Sequence, residues 1–350
     1  MHFSRKRFGV LHEREIDLYT IDNENGVVVS LTNFGGIITS IRTPDIEGKY
    51  TNIALCYGSL EDYVKDHAYI GCIVGRYANR INKGVYYSDG QRYQLHCNDG
   101  PNHLHGGRRG YNKKIWDSEP VREKRGCGVK LSLTSPDGEE GYPGTVDVQV
   151  LYLLTPGNEL IVDYVAATDM RTVINLTQHS YFNLAGSGTI LDHLVCINGS
   201  NYTPVDDNLI PTGAVDTVDG TIYDLRDEKR IEHLFVEAEE GALIDGGFDH
   251  NFVLDSNGDL SRSAASLYHP ESGRLLEIYT TKPGIQLYTA NHLAEEMIGH
   301  GGKPFCRHGA VCLETQYFPD SPNQTAFPSV VLEPGQVYQQ ITKYRFSLRH

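Results

Sequence analysis

Short β-branched or aromatic runs broken by glycine, proline, asparagine and aspartate recur through this chain, with apolar and polar positions alternating at a period of two in segments such as GIQLY. Alternation of that period puts one set of side chains on each face of an extended strand, so the pattern predicts strands that are half buried. Three stretches read as strand, turn, strand. They are GVVVSL from Gly26 followed by IITSIRTPD to Asp45, VDVQVLYLLTPGNELIVDYVAAT around its Pro-Gly-Asn turn, and SLYHPESGRLLEIYTT around its Glu-Ser-Gly turn. Helical spacing is confined to three short segments. These are SLEDYVKD, with Ser59 as N-cap and carboxylates in the first turn, RDEKRIEHLF from Arg226, and HLAEEMI from His292. The polar stretch from Asp206 to Gly220 predicts a long loop. The expected fold is all-β, a large antiparallel β-sandwich decorated by a few short helices, built as one domain over residues 1–350.

Composition narrows the partners. The chain carries 45 acidic against 31 basic residues, a formal charge of −14, which disfavours a nucleic-acid polyanion or an anionic membrane surface. No apolar run approaches the roughly 18 residues of a membrane span. The seven cysteines form no CxxC pair, and their odd number in a long chain reads as free thiols in a reducing compartment, so a cytoplasmic location is expected. MHFSRKRFG is basic but runs into LHEREIDLYT rather than an apolar core, which does not describe a secretory signal. A small neutral molecule is the expected partner.

Candidate chemistry is scattered. In CLETQYFPDSPN, Glu314 lies between an apolar run and a loop punctuated by Pro319 and Pro322, as on a strand that delivers its last side chain to the mouth of a cleft. Glu314 is the first choice for a general base. His179 in NLTQHSYFNLAG has polar and aromatic neighbours, including Tyr181, suited to a sugar pocket. Asp249 in GGFDHNFVL sits at a strand entrance. Gln286 in KPGIQLYTAN alternates outward from Ile285 and Leu287. Arg76, Asn79 and Arg80 close the apolar run GCIVGRYANR, where a guanidinium fork can grip a hydroxyl pair. His103 and His105 are two apart in PNHLHGG. On an extended chain both would leave one face as a metal-binding pair, whereas a turn at Gly106 and Gly107 would instead bring one histidine to a ligand hydroxyl. MIGHGGKPF lacks the first glycine and the Ser/Thr of a phosphate loop, and neither a dinucleotide glycine motif nor a nucleophile elbow is present.

Taken in order, GRYANRI, NHLHGG, QHSYFNLAG, FDHNFVL, PGIQLYTAN and LETQYFPDSPN resemble the aldose 1-epimerase (galactose mutarotase) family, over most of the chain from Gly9 to Leu348. The resemblance implies a cytoplasmic β-sandwich that acts on free monosaccharides without cofactor or metal. It further implies Glu314 as general base and His179 as general acid, with Arg80, Asn79, His105, Tyr181, Asp249 and Gln286 holding sugar hydroxyls or the ring oxygen. Whether Arg76 or Arg80 faces the sugar is left open by the motif, as is the choice between monomer and homodimer. Leu287 stands where an aromatic is common, Ala290 where glycine is common and Tyr111 where phenylalanine is common, departures that bear on substrate preference. Three other readings remain. One is a sugar-phosphate epimerase using Arg108, Arg109, Lys113 and Lys114, another a sugar-binding module without turnover, and the third a metal-dependent isomerase built on His103 and His105.

Overall fold

Three antiparallel sheets account for most of the computed structural model, which describes residues 1–239 and 242–350. The largest has nine strands, with Tyr338–Leu348 at its centre between Glu159–Thr168 and Arg274–Thr280. A six-stranded sheet runs in the order Tyr181–Phe182, Val311–Gln316, Gly284–Tyr288, Asp249–Val253, Asn201–Thr203 and Asp216–Thr217. The N-terminal five strands, from His2–Leu11 to Tyr50–Asn52, pair in sequence order as a meander. All three sheets feed one hydrophobic cluster. It joins Tyr19, Val29 and Leu31 of the five-stranded sheet to Val150, Leu276 and Phe346 of the nine-stranded sheet and to Phe252, Ile285 and Leu313 of the six-stranded sheet. This is the layered β-sandwich that the alternation predicts, because a strand apolar on one face can bury that face only against another layer.

The three expected hairpins form in register, with Val29 opposite Ile41, Val150 opposite Tyr164, and Leu267 opposite Leu276. Burial alternates along Val146–Leu154 and Glu159–Thr168, whereas every residue of Val311–Gln316 is buried. One face of that last strand meets the core and the other forms the floor of a cleft. The loop from Asp206 to Gly220 contains a two-residue strand, Asp216–Thr217, which pairs with Asn201–Tyr202.

Helix placement matches the sequence unevenly. Helix α1, Leu60–Lys65, starts where expected, with Ser59 Oγ accepting from the Asp62 N–H at 3.3 Å. Helix α2 covers Ile231–Glu237 rather than starting at Arg226, because Lys229 and Arg230 are taken as an edge strand against Leu194 and Val195. The third expected helix is absent: His292–Ile298 is a series of turns. Leu293 is its one buried apolar residue, so it has no apolar face to offset the cost of nucleating a helix this short.

A close backbone approach brings two functional loops together. Gly106 has φ +85°, and a Cβ there would lie 1.8 Å from the carbonyl oxygen of Gly75. Only glycine lets the NHLHGG loop sit on the GRYANR loop. Gly106→Ala is therefore expected to destabilise the protein by more than about 2 kcal/mol, since the left-handed conformation alone costs an L residue roughly 1–2 kcal/mol. Gly301→Ala, which has φ +74° but open space around it, is expected to stay within that conformational cost. Urea unfolding of the two variants checks the difference.

Candidate active site

Neighbouring strands of the six-stranded sheet align polar side chains on the face away from the core. Glu314 is opposite Gln286, and Gln286 is opposite Asn251. Two residues along each strand, on the same face, Asp249 is opposite Tyr288, Tyr288 opposite Cys312, and Cys312 opposite Tyr181. Strand alternation thus fixes which groups face the cleft. Above this face is a cavity of about 610 Å³, lined by Asn79, Arg80, His105, His179, Tyr181, Asp249 and Glu314 among others. Every site residue implied by the family resemblance lines it except Gln286.

The floor is a buried pair. His179 Nε2 lies 3.5 Å from Glu314 Oε1, and the two residues are 4% and 2% exposed. Burial pushes the Glu314 carboxyl well above the usual carboxylate range; the neighbouring Asp249 adds to the rise and the Arg80 guanidinium opposes it. Burial likewise pushes His179 down to about 4. Among the described residues the buried Glu314 Oε2 has no hydrogen-bond partner, and Glu314 lines the cavity. The expectation that Glu314 ends its strand is corrected. The strand continues to Gln316, and the carboxylate sits on the cleft floor rather than at its mouth.

The walls are held rigidly. Arg80 Nε donates to Asp99 Oδ2 at 2.8 Å, and its Nη1 lies 3.7 Å from Asp249 Oδ2. Gln286 is placed one layer behind the wall, where its Nε2 donates to Asp249 Oδ1 at 2.6 Å. Tyr181 stacks on His179 with ring centres 5.0 Å apart, while its hydroxyl donates to the Ala68 carbonyl. Asn79 Oδ1 accepts from the Arg80 N–H at 2.8 Å, and the Asn79 N–H donates to His105 Nδ1 at 3.1 Å. The bond to Nδ1 puts the imidazole proton on Nε2, and burial pushes His105 well below its ordinary pKa. His105 is therefore a neutral donor of fixed tautomer.

Arg76 is 1% exposed and its guanidinium donates to the carbonyls of Ser135, Pro143 and Gly144. It is structural, and Arg80 is the arginine at the cavity. His103 and His105 do not share a face. The strand ends at Leu104 and His105 has φ +52°, so His103 turns away to meet the Tyr142 hydroxyl at 2.5 Å. Metal-ligand atoms of His105, His179 and Glu314 do lie within 4.8 Å of one another. The set suits a metal poorly, because a ligating Nε2 on His105 would have to lose the proton that the Asn79 N–H places there.

None of Arg108, Arg109, Lys113 and Lys114 lines the cavity. Lys113 Nζ donates to the carbonyls of Tyr63, Val64 and Asp66, and Lys114 pairs with Glu139. Leu287, Ala290 and Tyr111 are likewise outside the cavity lining and 0–1% exposed, so these departures bear on packing rather than on the sugar face. Tyr69 is a lining residue that the sequence did not single out. Its ring lies 4.7 Å from that of His105 and 6.2 Å from that of His179, and Asn98 Nδ2 donates to its hydroxyl at 3.2 Å. As one of 22 tyrosines, flanked by Ala68 and Ile70, it carries no signal in the sequence.

Comparison with known proteins agrees with this geometry. The family model described as aldose 1-epimerase matches residues 17–345. The chain is 44% identical to a galactose mutarotase of Bos taurus over 322 residues, 91% of each chain. It is 34% identical to an aldose 1-epimerase of Escherichia coli (strain K12), over 94% of each. Among solved structures it resembles the galactose 1-epimerase of Lactobacillus acidophilus NCFM, with a TM-score of 0.87, 28% identity, and coverage of 100% and 99% of the two chains. The sheet register, the buried carboxylate and histidine, and these matches over nearly the full length lead to one conclusion: the chain belongs to the aldose 1-epimerase family and is an isomerase of the racemase and epimerase class.

Proposed function

We propose that this protein interconverts the α- and β-anomers of free aldohexoses such as galactose and glucose, with Glu314 as general base and His179 as general acid. The observation that carries this reading is the buried His179–Glu314 pair, 3.5 Å apart, on the floor of a cleft walled by hydrogen-bonding groups. Anomer exchange needs one proton taken from the anomeric hydroxyl and one delivered to the ring oxygen. The bond between C1 and the ring oxygen then breaks, leaving an open-chain aldehyde. Rotation about the C1–C2 bond and closure with the roles exchanged yields the other anomer. A carboxylate and an imidazolium supply that proton pair, with no covalent or redox step.

Burial tunes the pair for this exchange. Its directions, Glu314 up and His179 down, favour the neutral form of carboxylic acid beside imidazole. Ring opening runs from the charged form to that neutral form, so the dry site helps the hemiacetal open, and closure on either face regenerates the charges. The substrate hydroxyl that donates to Glu314 Oε2 supports the carboxylate in the charged form. His105, as a fixed donor, and Arg80, as a permanent cation, hold hydroxyls or the ring oxygen and offset charge developing there. Asn79 and Asp249 complete the hydroxyl contacts, Gln286 orients Asp249, and Tyr181 packs behind His179. We also read residues 1–350 as one domain, on the strength of the core shared by all three sheets. The reading of a cytoplasmic protein is supported by the free cysteines.

Polarimetry on freshly dissolved α-glucose and α-galactose tests the activity. The protein should accelerate the decay, and Glu314→Gln should reduce kcat by about 10²- to 10⁴-fold; a Glu314→Gln rate equal to wild type would overturn the assignment. The active pair holds a single proton. Activity should fall as pH drops towards about 4, where His179 gains a proton and Glu314 keeps its own. It should fall again only well above the usual carboxylate range, where the pair loses its last proton. A pH series of kcat/KM reads both limbs. Glu314 has a raised folded pKa, so its contribution to stability is full below its unfolded value and is lost as pH rises through the folded one. Glu314→Gln should therefore melt at or above the wild-type temperature at neutral pH, with the difference shrinking towards acid pH.

A further inference from the structure

The proton exchange leaves unused a lysine buried in the interior. Lys282, in the turn between Arg274–Thr280 and Gly284–Tyr288, is fully buried. No carboxylate among the described residues pairs with it, and burial alone holds its ammonium well below the usual lysine pKa. Three tyrosine rings surround Nζ, those of Tyr338 at 4.8 Å, Tyr164 at 5.4 Å and Tyr317 at 5.6 Å. Nζ donates to the Leu176 carbonyl at 3.0 Å and to the Tyr338 hydroxyl, and that hydroxyl accepts the Leu176 N–H at 3.2 Å. Lys282 and Tyr338 thus grip both the N–H and the carbonyl of the residue three positions before His179.

The same network reaches the other member of the pair. The Lys282 N–H donates to Thr280 Oγ1 at 3.1 Å, which lies 3.1 Å from Thr342 Oγ1, and Thr342 Oγ1 lies 2.6 Å from Thr315 Oγ1. Thr315 follows Glu314 and points to the opposite face of the strand. Thr177 Oγ1 closes the loop by donating to the Thr315 carbonyl at 2.7 Å, a direct tie between the segment carrying His179 and the strand carrying Glu314. An ionisable group buried without a charged partner is costly, and an apolar residue of similar size often serves stability better. At this position the polar group instead bonds the segment that carries His179.

We propose that this buried network, with Lys282 at its head and Thr177 at its tie, fixes the distance between His179 and Glu314, so that Lys282 and Thr177 are positioning residues for the reaction. The inference rests on the acid–base reading above. A misplacement of about 1 Å costs on the order of 10²-fold in rate. Lys282→Met and Thr177→Val should therefore lower kcat by about tenfold to a hundredfold while KM stays within about twofold, as expected for an interaction felt in the transition state. Thr177→Ser, which keeps the hydroxyl, should restore most of kcat.

Steady-state kinetics of the three variants, with thermal unfolding of each and Glu314→Gln in parallel, decides the matter. Folded Lys282→Met and Thr177→Val proteins with kcat near wild type would overturn the proposal. So would a loss no greater than the fraction unfolded, or equal rates for Thr177→Ser and Thr177→Val. If Lys282→Met does not fold, the two Thr177 variants carry the test alone. A fully active Glu314→Gln would instead remove the acid–base reading, which separates the two failures.

Discussion

Everything at the cleft depends on a carboxylate kept out of water beside a histidine. Glu314 has little to offset its desolvation: Arg80 is near, but Asp249 pulls the other way, and one carboxylate oxygen has no hydrogen-bond partner among the described residues. Such a site is expensive for folding, and its cost is offset by the sheets around it. The same desolvation raises the proton affinity of the carboxylate, because it disfavours the charged form, and that is the property the proposed base role of Glu314 requires.

The architecture exists to hold that arrangement still. Val311–Gln316 lies between Tyr181–Phe182 and Gly284–Tyr288, buried on both faces, so its side chains have no freedom to move towards solvent. His179 comes from a different segment, just before Tyr181, and is held by stacking on Tyr181 and by contact with Tyr69 and His105. The side walls are coupled in the same way. Arg80 is braced by Asp99, Asp249 by Gln286, and His105 by the backbone of Asn79. A pocket built from such braced groups needs little reorganisation when a sugar binds, which is where preorganised sites gain rate.

The errors of the sequence reading have physical causes that can be named. The third helix failed because helical spacing in His292–Ile298 has no apolar face to bury, and local propensity over seven residues is too weak to act alone. Of the two readings left open for His103 and His105, the extended metal-binding pair is excluded by a left-handed residue at His105, and the turn at Gly106 and Gly107 stands. Gln286 was placed on the correct side of its strand, yet the depth of a side chain within a wall depends on its cross-sheet neighbours.

Period-two patterning and turn residues were enough to determine the all-β sandwich and its main hairpins, since those follow from which face of each strand is apolar. Six separated motifs were enough to mark Glu314, His179 and their companions as one set, with the choice between Arg76 and Arg80 left open. Tertiary structure alone decided that Glu314 is a buried floor residue, that Arg80 and not Arg76 reaches the cavity, that Tyr69 belongs to the wall, and that Lys282 is caged behind the sheet. Those are consequences of register, burial and contacts between segments more than a hundred residues apart, which no local pattern encodes: Thr177 meets Thr315 only because two distant strands were brought together.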